Sequence, residues 1–154
     1  MNVLNRILGG SIALLAVFAM IPAAYAAYPK TMKVSVEVWN DKEQDIHMTY
    51  ASWEPKGASL RSYFIPAQNS GRAIDVTLDN PRNDAAVFRY ANTEGQKCEF
   101  RMSHKVVFRW IGVNPAPEKT ATAKSIGTVP AECSAAVTKG TDSLGSYTVK
   151  FSMK

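Results

Sequence analysis

The chain has 154 residues, 46% hydrophobic and 20% charged, with a formal net charge of +5. That length suits one ordinary domain with its own core and excludes a mini-protein held together only by cross-links. The modest basic excess favours anionic partners such as envelope lipids, polyanionic glycans or acidic proteins.

The first 26 residues read as a secretory leader. Arg6 precedes an apolar run from Ile12 to Ile21, Pro22 interrupts it, and Ala24-Tyr25-Ala26 supplies the small residues of a cleavage site. The run is shorter than the roughly 20 residues of a spanning helix. No Cys follows the cleavage site, so no lipid anchor is indicated. Cleavage after Ala26 leaves residues 27–154 as a single domain without a transmembrane segment. The leader carries one Arg and no acid, so the charge falls from +5 to +4. Export of the Gram-negative type implies a periplasmic or secreted protein, and it removes nucleic acid from the partners. In an oxidising compartment Cys98 and Cys133 form one disulfide.

A period of two recurs along the mature chain. Met32, Val34, Val36 and Val38 alternate with polar residues and predict a half-buried strand. Ile46, Met48 and Tyr50 predict a second, joined to the first as a hairpin across the polar turn Asp41–Gln44. A third short strand is expected over residues 59–65 and a fourth around Ile74, Val76 and Leu78. The fifth and sixth, near 86–92 and 97–104, flank Thr93-Glu94-Gly95, a sequence suited to a tight hairpin loop. That register sets Phe88 opposite Phe100, Tyr90 opposite Cys98 and Arg89 opposite Glu99, so like faces like and opposite charges meet. Residues 106–113 predict a central seventh strand. Pro115 and Pro117 predict an extended loop over 114–123. Residues 131–137 fit either a strand or a helical turn, and 147–153 read as a closing strand that offers an edge. The expectation is an all-β, antiparallel β-sandwich, immunoglobulin-like or similar, of about eight short strands.

Catalytic chemistry is not indicated. His47 shares the outward phase of its strand, His104 lies at an inward strand end, and no serine sits in an activating motif. No cofactor or metal site is expected, since the cysteines are oxidised and the histidines lie on separate strands. The Asp79–Asp84 segment has the oxygens of a calcium loop but reads as a polar turn.

Binding is better supported. Trp39 and Trp53 both fall in the outward phase of the expected hairpin, at opposite ends, whereas Trp110 shares a core phase. An exposed Trp marks contact with sugar, lipid or protein. Arg89, Lys97, Arg101 and Arg109 share one face if their strands are neighbours, with Glu99 among them. Val36-Glu37-Val38-Trp39-Asn40, Ile46, Ser52-Trp53 and Ile65-Pro66-Ala67 loosely resemble the N-terminal half of aegerolysin-type sandwiches, over less than half of the chain. The resemblance implies a membrane-binding sandwich. The sequence therefore predicts an exported, non-enzymatic binding protein that engages a protein partner as an inhibitor, immunity protein or adaptor. The alternatives are a membrane-lipid or glycan binder and an enzyme whose site has no sequence signature. The oligomeric state is left open.

Overall fold

The computed structural model describes residues 29–53, 59–68, 70–107, 116–141 and 145–154. The leader with its cleavage site, Arg109, Trp110 and most of the expected seventh strand lie outside the described residues.

Eight strands form in chain order: β1 (Met32–Asn40), β2 (His47–Ala51), β3 (Ser70–Leu78), β4 (Asn83–Ala91), β5 (Lys97–Val107), β6 (Ala116–Ser125), β7 (Cys133–Lys139) and β8 (Tyr147–Met153). They make two four-stranded sheets, ordered β3-β1-β8-β7 and β2-β4-β5-β6. The alternation explains the layers, because each strand turns one apolar row inward. Met32, Val34, Val36 and Val38 of β1, Ile74, Val76 and Leu78 of β3, and Tyr147, Val149, Phe151 and Met153 of β8 are buried from one sheet. Ala86, Phe88, Tyr90, Cys98, Phe100 and Met102 meet them from the other. Phe88, Phe100 and Phe151 lie at the centre, with ring centroids 5.0 to 5.3 Å apart.

The β4–β5 hairpin has the expected register, with Phe88 opposite Phe100, Tyr90 opposite Cys98 and Arg89 opposite Glu99. Gly95 in its loop takes a positive φ of 84°, which a residue with a side chain rarely adopts. The disulfide also forms: Cys98 of β5 is bonded to Cys133 of β7, joining the two sheets.

The first hairpin does not form. β1 pairs antiparallel with β3 and parallel with β8, while β2 pairs with β4 in the opposite sheet. Asn40 directs the chain between sheets. Fully buried, its side-chain amide donates to the carbonyls of Gln44 (2.8 Å), Pro66 (2.8 Å) and Ile65 (3.3 Å). Its Oδ1 accepts the Lys42 N–H at 3.0 Å. The polar segment after β1 is therefore an arch over the end of the sandwich, not a two-strand turn.

Four other expectations are corrected. Residues 60–63 form a 3-10 turn capped by the Ser59 hydroxyl, and only Ile65 of the expected third strand bridges, to Ile46. Val106 and Val107 extend β5 instead of starting a new strand. The expected loop 114–123 is largely β6, which pairs with β5 from Cys98 to Val107. Its Pro117 lies at the start of an edge strand, a position where a sheet tolerates proline. Thr120 and Thr122 then face out, while Ala121 and Ala123 pack inward. Finally β8 is central, between β1 and β7, and offers no free edge. Residues 131–137, ambiguous in sequence, contain most of β7.

Candidate functional site

Each sheet has two edges, and among the described residues three of the four are covered. β6 and β7 face one another on the side stapled by Cys98–Cys133. Beyond the end of β2, Ile46 exchanges two backbone hydrogen bonds with Ile65 (2.9 and 3.0 Å), and the 3-10 turn packs on β2. β3 is the exception. Among the described residues its nine positions pair only with β1, so the backbone groups on its other side have no strand partner.

Among the described residues the sandwich is open beside this edge. A depression of about 1110 Å³ runs along β3 toward β4, lined by Val76, Leu78, Ala86, Trp53, Tyr63 and Tyr147 among others. Trp53 reaches it through a local irregularity. The β2–β4 register slips between Met48 and Tyr50, so Met48 is opposite Tyr90 but Tyr50 is already opposite Arg89. That bulge shifts the alternation by one. Tyr50 turns outward over the Arg89 guanidinium, 4.8 Å away. Trp53 turns inward and meets Phe88 edge-on at 5.5 Å. The outward position expected for Trp53 is thereby corrected: it is half-buried against the core at the mouth of the seam.

Tyr63 forms the neighbouring wall. Its carbonyl accepts the Tyr90 hydroxyl at 2.8 Å, and its ring lies 4.8 Å from the Arg72 guanidinium, which also donates to the Ser62 carbonyl. These bonds fasten the 3-10 turn to the start of β3. Burial pushes the Tyr90 and Tyr147 phenols well above the ordinary range. The Asp84 charge pushes Tyr147 further, while Arg72 partly opposes the shift at Tyr90. Among the described residues the Tyr147 hydroxyl has no hydrogen-bond partner.

The charges along the seam are mixed. Asp75 and Asp79 stand exposed on the outer side of β3 and just beyond it, and Asp84 faces them from β4. Lys33 and Lys139 also line the depression. Asp84 closes the turn before β4, with its oxygens accepting the Asn80 and Ala85 N–H groups. The Asn80 side chain accepts those of Arg82 and Asn83. The oxygens of Asn80 and Asp84, which a calcium loop would need, thus hold the turn.

The other expected site residues fall elsewhere. Arg89, Lys97 and Arg101 do share the outer face of the β2-β4-β5-β6 sheet with Glu99. Arg89 is bound to Glu99 (Nη2–Oε2 2.7 Å) and stacked on Tyr50, so its charge is largely committed. Lys105 and Lys124 join this face. Lys124 is opposite Glu99, a placement visible only once β6 is known to pair with β5. Trp39 lies on the outer face of the other sheet. Its ring covers Gly71, where a Cβ would come within 3.0 Å, and the Lys150 ammonium sits 4.6 Å from the ring. Trp39 and Trp53 therefore belong to different surfaces.

His47 is exposed and stacks on Phe64 at 5.7 Å. His104 is buried, with Nε2 2.8 Å from the Asn80 carbonyl, so Nε2 carries the proton, and Nδ1 has no partner among the described residues. Asp84 is opposite His104 in register, yet no ion pair joins them among the described residues. Near them the half-buried Lys119 donates to the Gly140 and Gly145 carbonyls and lies 5.2 Å from the Tyr147 ring. The described residues include no helix long and apolar enough to cross a membrane. The sequence matches no protein-family model and no curated protein.

Proposed function

We propose that this chain is an exported, non-enzymatic binding protein that engages a protein partner at the cell envelope through the seam between β3 and β4. The observation that carries the reading is the β3 edge, without a strand partner among the described residues, beside half-buried Trp53 and Tyr63. A free strand edge binds extended peptide through main-chain hydrogen bonds, and an adjacent aromatic wall adds side-chain selectivity. The leader-like N-terminus and the disulfide support an oxidising, extracytoplasmic location. Inhibitor, immunity and adaptor roles all use such a surface.

The test is affinity capture of the tagged mature chain from its host's envelope, with mass spectrometry of the bound fraction. A single stoichiometric protein supports the reading, and retention of lipid or glycan without protein overturns it. A second reading has its own observation: Lys97, Arg101, Lys105 and Lys124 lie on one sheet face with no ion pair among the described residues. Such a face attracts anionic lipid or glycan. It predicts co-sedimentation with anionic vesicles at low salt that disappears at high salt.

A further inference from the structure

We infer that the seam takes an extended segment of the partner whose side chains alternate as basic, apolar, polar, apolar, basic. The inference rests on the protein-partner reading above and specifies what that partner must present. An added strand shares the pleat of β3, so a residue placed opposite a β3 position points to the same side of the sheet. Val76 and Leu78 point inward, toward the opening lined by Ala86, Trp53 and Tyr63. Residues opposite them enter that opening and must be apolar. Asp75 and Thr77 point outward, and Asp79 follows in the same phase just past the strand. Residues opposite the two acids sit four apart on the solvent side, where lysine or arginine gains and an acid loses. Of the two cations lining the depression, Lys33 is paired opposite Thr77 on β1, on the far side from the free edge, and Lys139 ends β7 at the other edge of the sheet. A second copy of this chain is a poor occupant, since pairing β3 with β3 brings both acidic rows onto one face.

The test uses two labelled peptides with a common Val-Thr-Val core, one flanked by Lys and one by Glu. Their binding to the mature protein is measured by fluorescence anisotropy and Trp emission at low salt. The wild type should prefer the Lys peptide by about tenfold, as two exposed charge pairs allow. The double variant Asp75→Lys/Asp79→Lys changes only exposed positions and should invert the preference. Equal binding of both peptides, binding of neither, or an unchanged preference in the variant overturns the inference. So does a concentration-dependent dimer that the same variant abolishes, which would assign the edge to a second copy. Envelope capture with the double variant separates the two levels of the argument. If the variant retains the partner that the wild type captures, this inference fails while the protein-partner reading stands. If the wild type captures no protein, that reading itself fails.

Discussion

Cys98 and Cys133 stand with their Cα atoms 5.9 Å apart, one buried in β5 and the other opening β7, so a single covalent link holds the two sheets together on the side where β6 and β7 meet. The link closes a loop of 35 residues that contains all of β6. Constraining such a loop in the unfolded chain is worth about 4 kcal/mol in the chain-entropy model. The Cys98→Ala/Cys133→Ala pair should therefore lose roughly 2–4 kcal/mol in urea unfolding. A loss below about 1 kcal/mol would show that the unfolded state is already constrained without the bond.

Asn40→Ala should cost about 2–4 kcal/mol, because at a buried position it removes the side-chain donor to the Gln44 and Pro66 carbonyls and leaves Ile65 with only its bond from Ile46. Asn40→Asp should be no better, since a carboxylate cannot donate to carbonyls and would be buried without a cation. Equilibrium unfolding of both variants checks this, and a near-neutral Asp substitution would contradict the role assigned to the amide.

Two glycines should respond differently to alanine. At Gly127 a Cβ would meet backbone only, 2.3 Å from the Gly95 oxygen and 2.5 Å from the Lys97 nitrogen. The β4–β5 loop has to move, and we expect a loss of about 2 kcal/mol or more. At Gly71 the neighbour is the Trp39 ring, which can tilt outward, so the cost should stay below about 1 kcal/mol. Thermal melts of the two variants give the comparison directly.

The buried phenols make stability depend on alkaline pH. For Tyr90 and Tyr147 burial favours the neutral form, so the folded pKa exceeds the unfolded value. Their contribution is fully present below about pH 10 and is lost as the pH climbs from there toward the raised folded values. Absorbance titration of the native protein should leave both phenols un-ionised until the chain unfolds. Tyr147→Phe removes an unpartnered hydroxyl, so it should be neutral or stabilising at pH 7 and should flatten the alkaline loss. Tyr90→Phe should cost about 1 kcal/mol, because it breaks the bond to the Tyr63 carbonyl.

How far the sequence could be read depended on the span of each determining contact. The β4–β5 hairpin was legible to the residue because a short turn and facing pairs such as Arg89 and Glu99 fix it locally. The placement of β1 was not, since Asn40 is held by carbonyls 25 and 26 residues away. Trp53 carried a site-like signal, but its direction depends on a bulge between Met48 and Tyr50 that leaves no mark in the alternation. The prolines near β6 looked like loop residues because edge position, which excuses Pro117, is a property of the finished sheet. The open β3 edge was equally hidden, for it exists only once every other strand has found its neighbour.

The parallel pairing of β1 with β8 has a consequence for how the molecule comes into being. Val34 to Asn40 aligns with Tyr147 to Met153, so the first and the last of the described strands are zipped side by side, and β7 joins this sheet through β8. A polypeptide synthesised amino end first therefore holds β1 and β3 long before the strands that complete their sheet. Completion of that sheet waits for β8, and truncation before Tyr147 would leave β7 without a strand partner, held by its disulfide to β5 and its packing on β6. The β2-β4-β5-β6 sheet has all its strands before β7 begins, whereas the sheet that holds β1 stays incomplete until β8 is made.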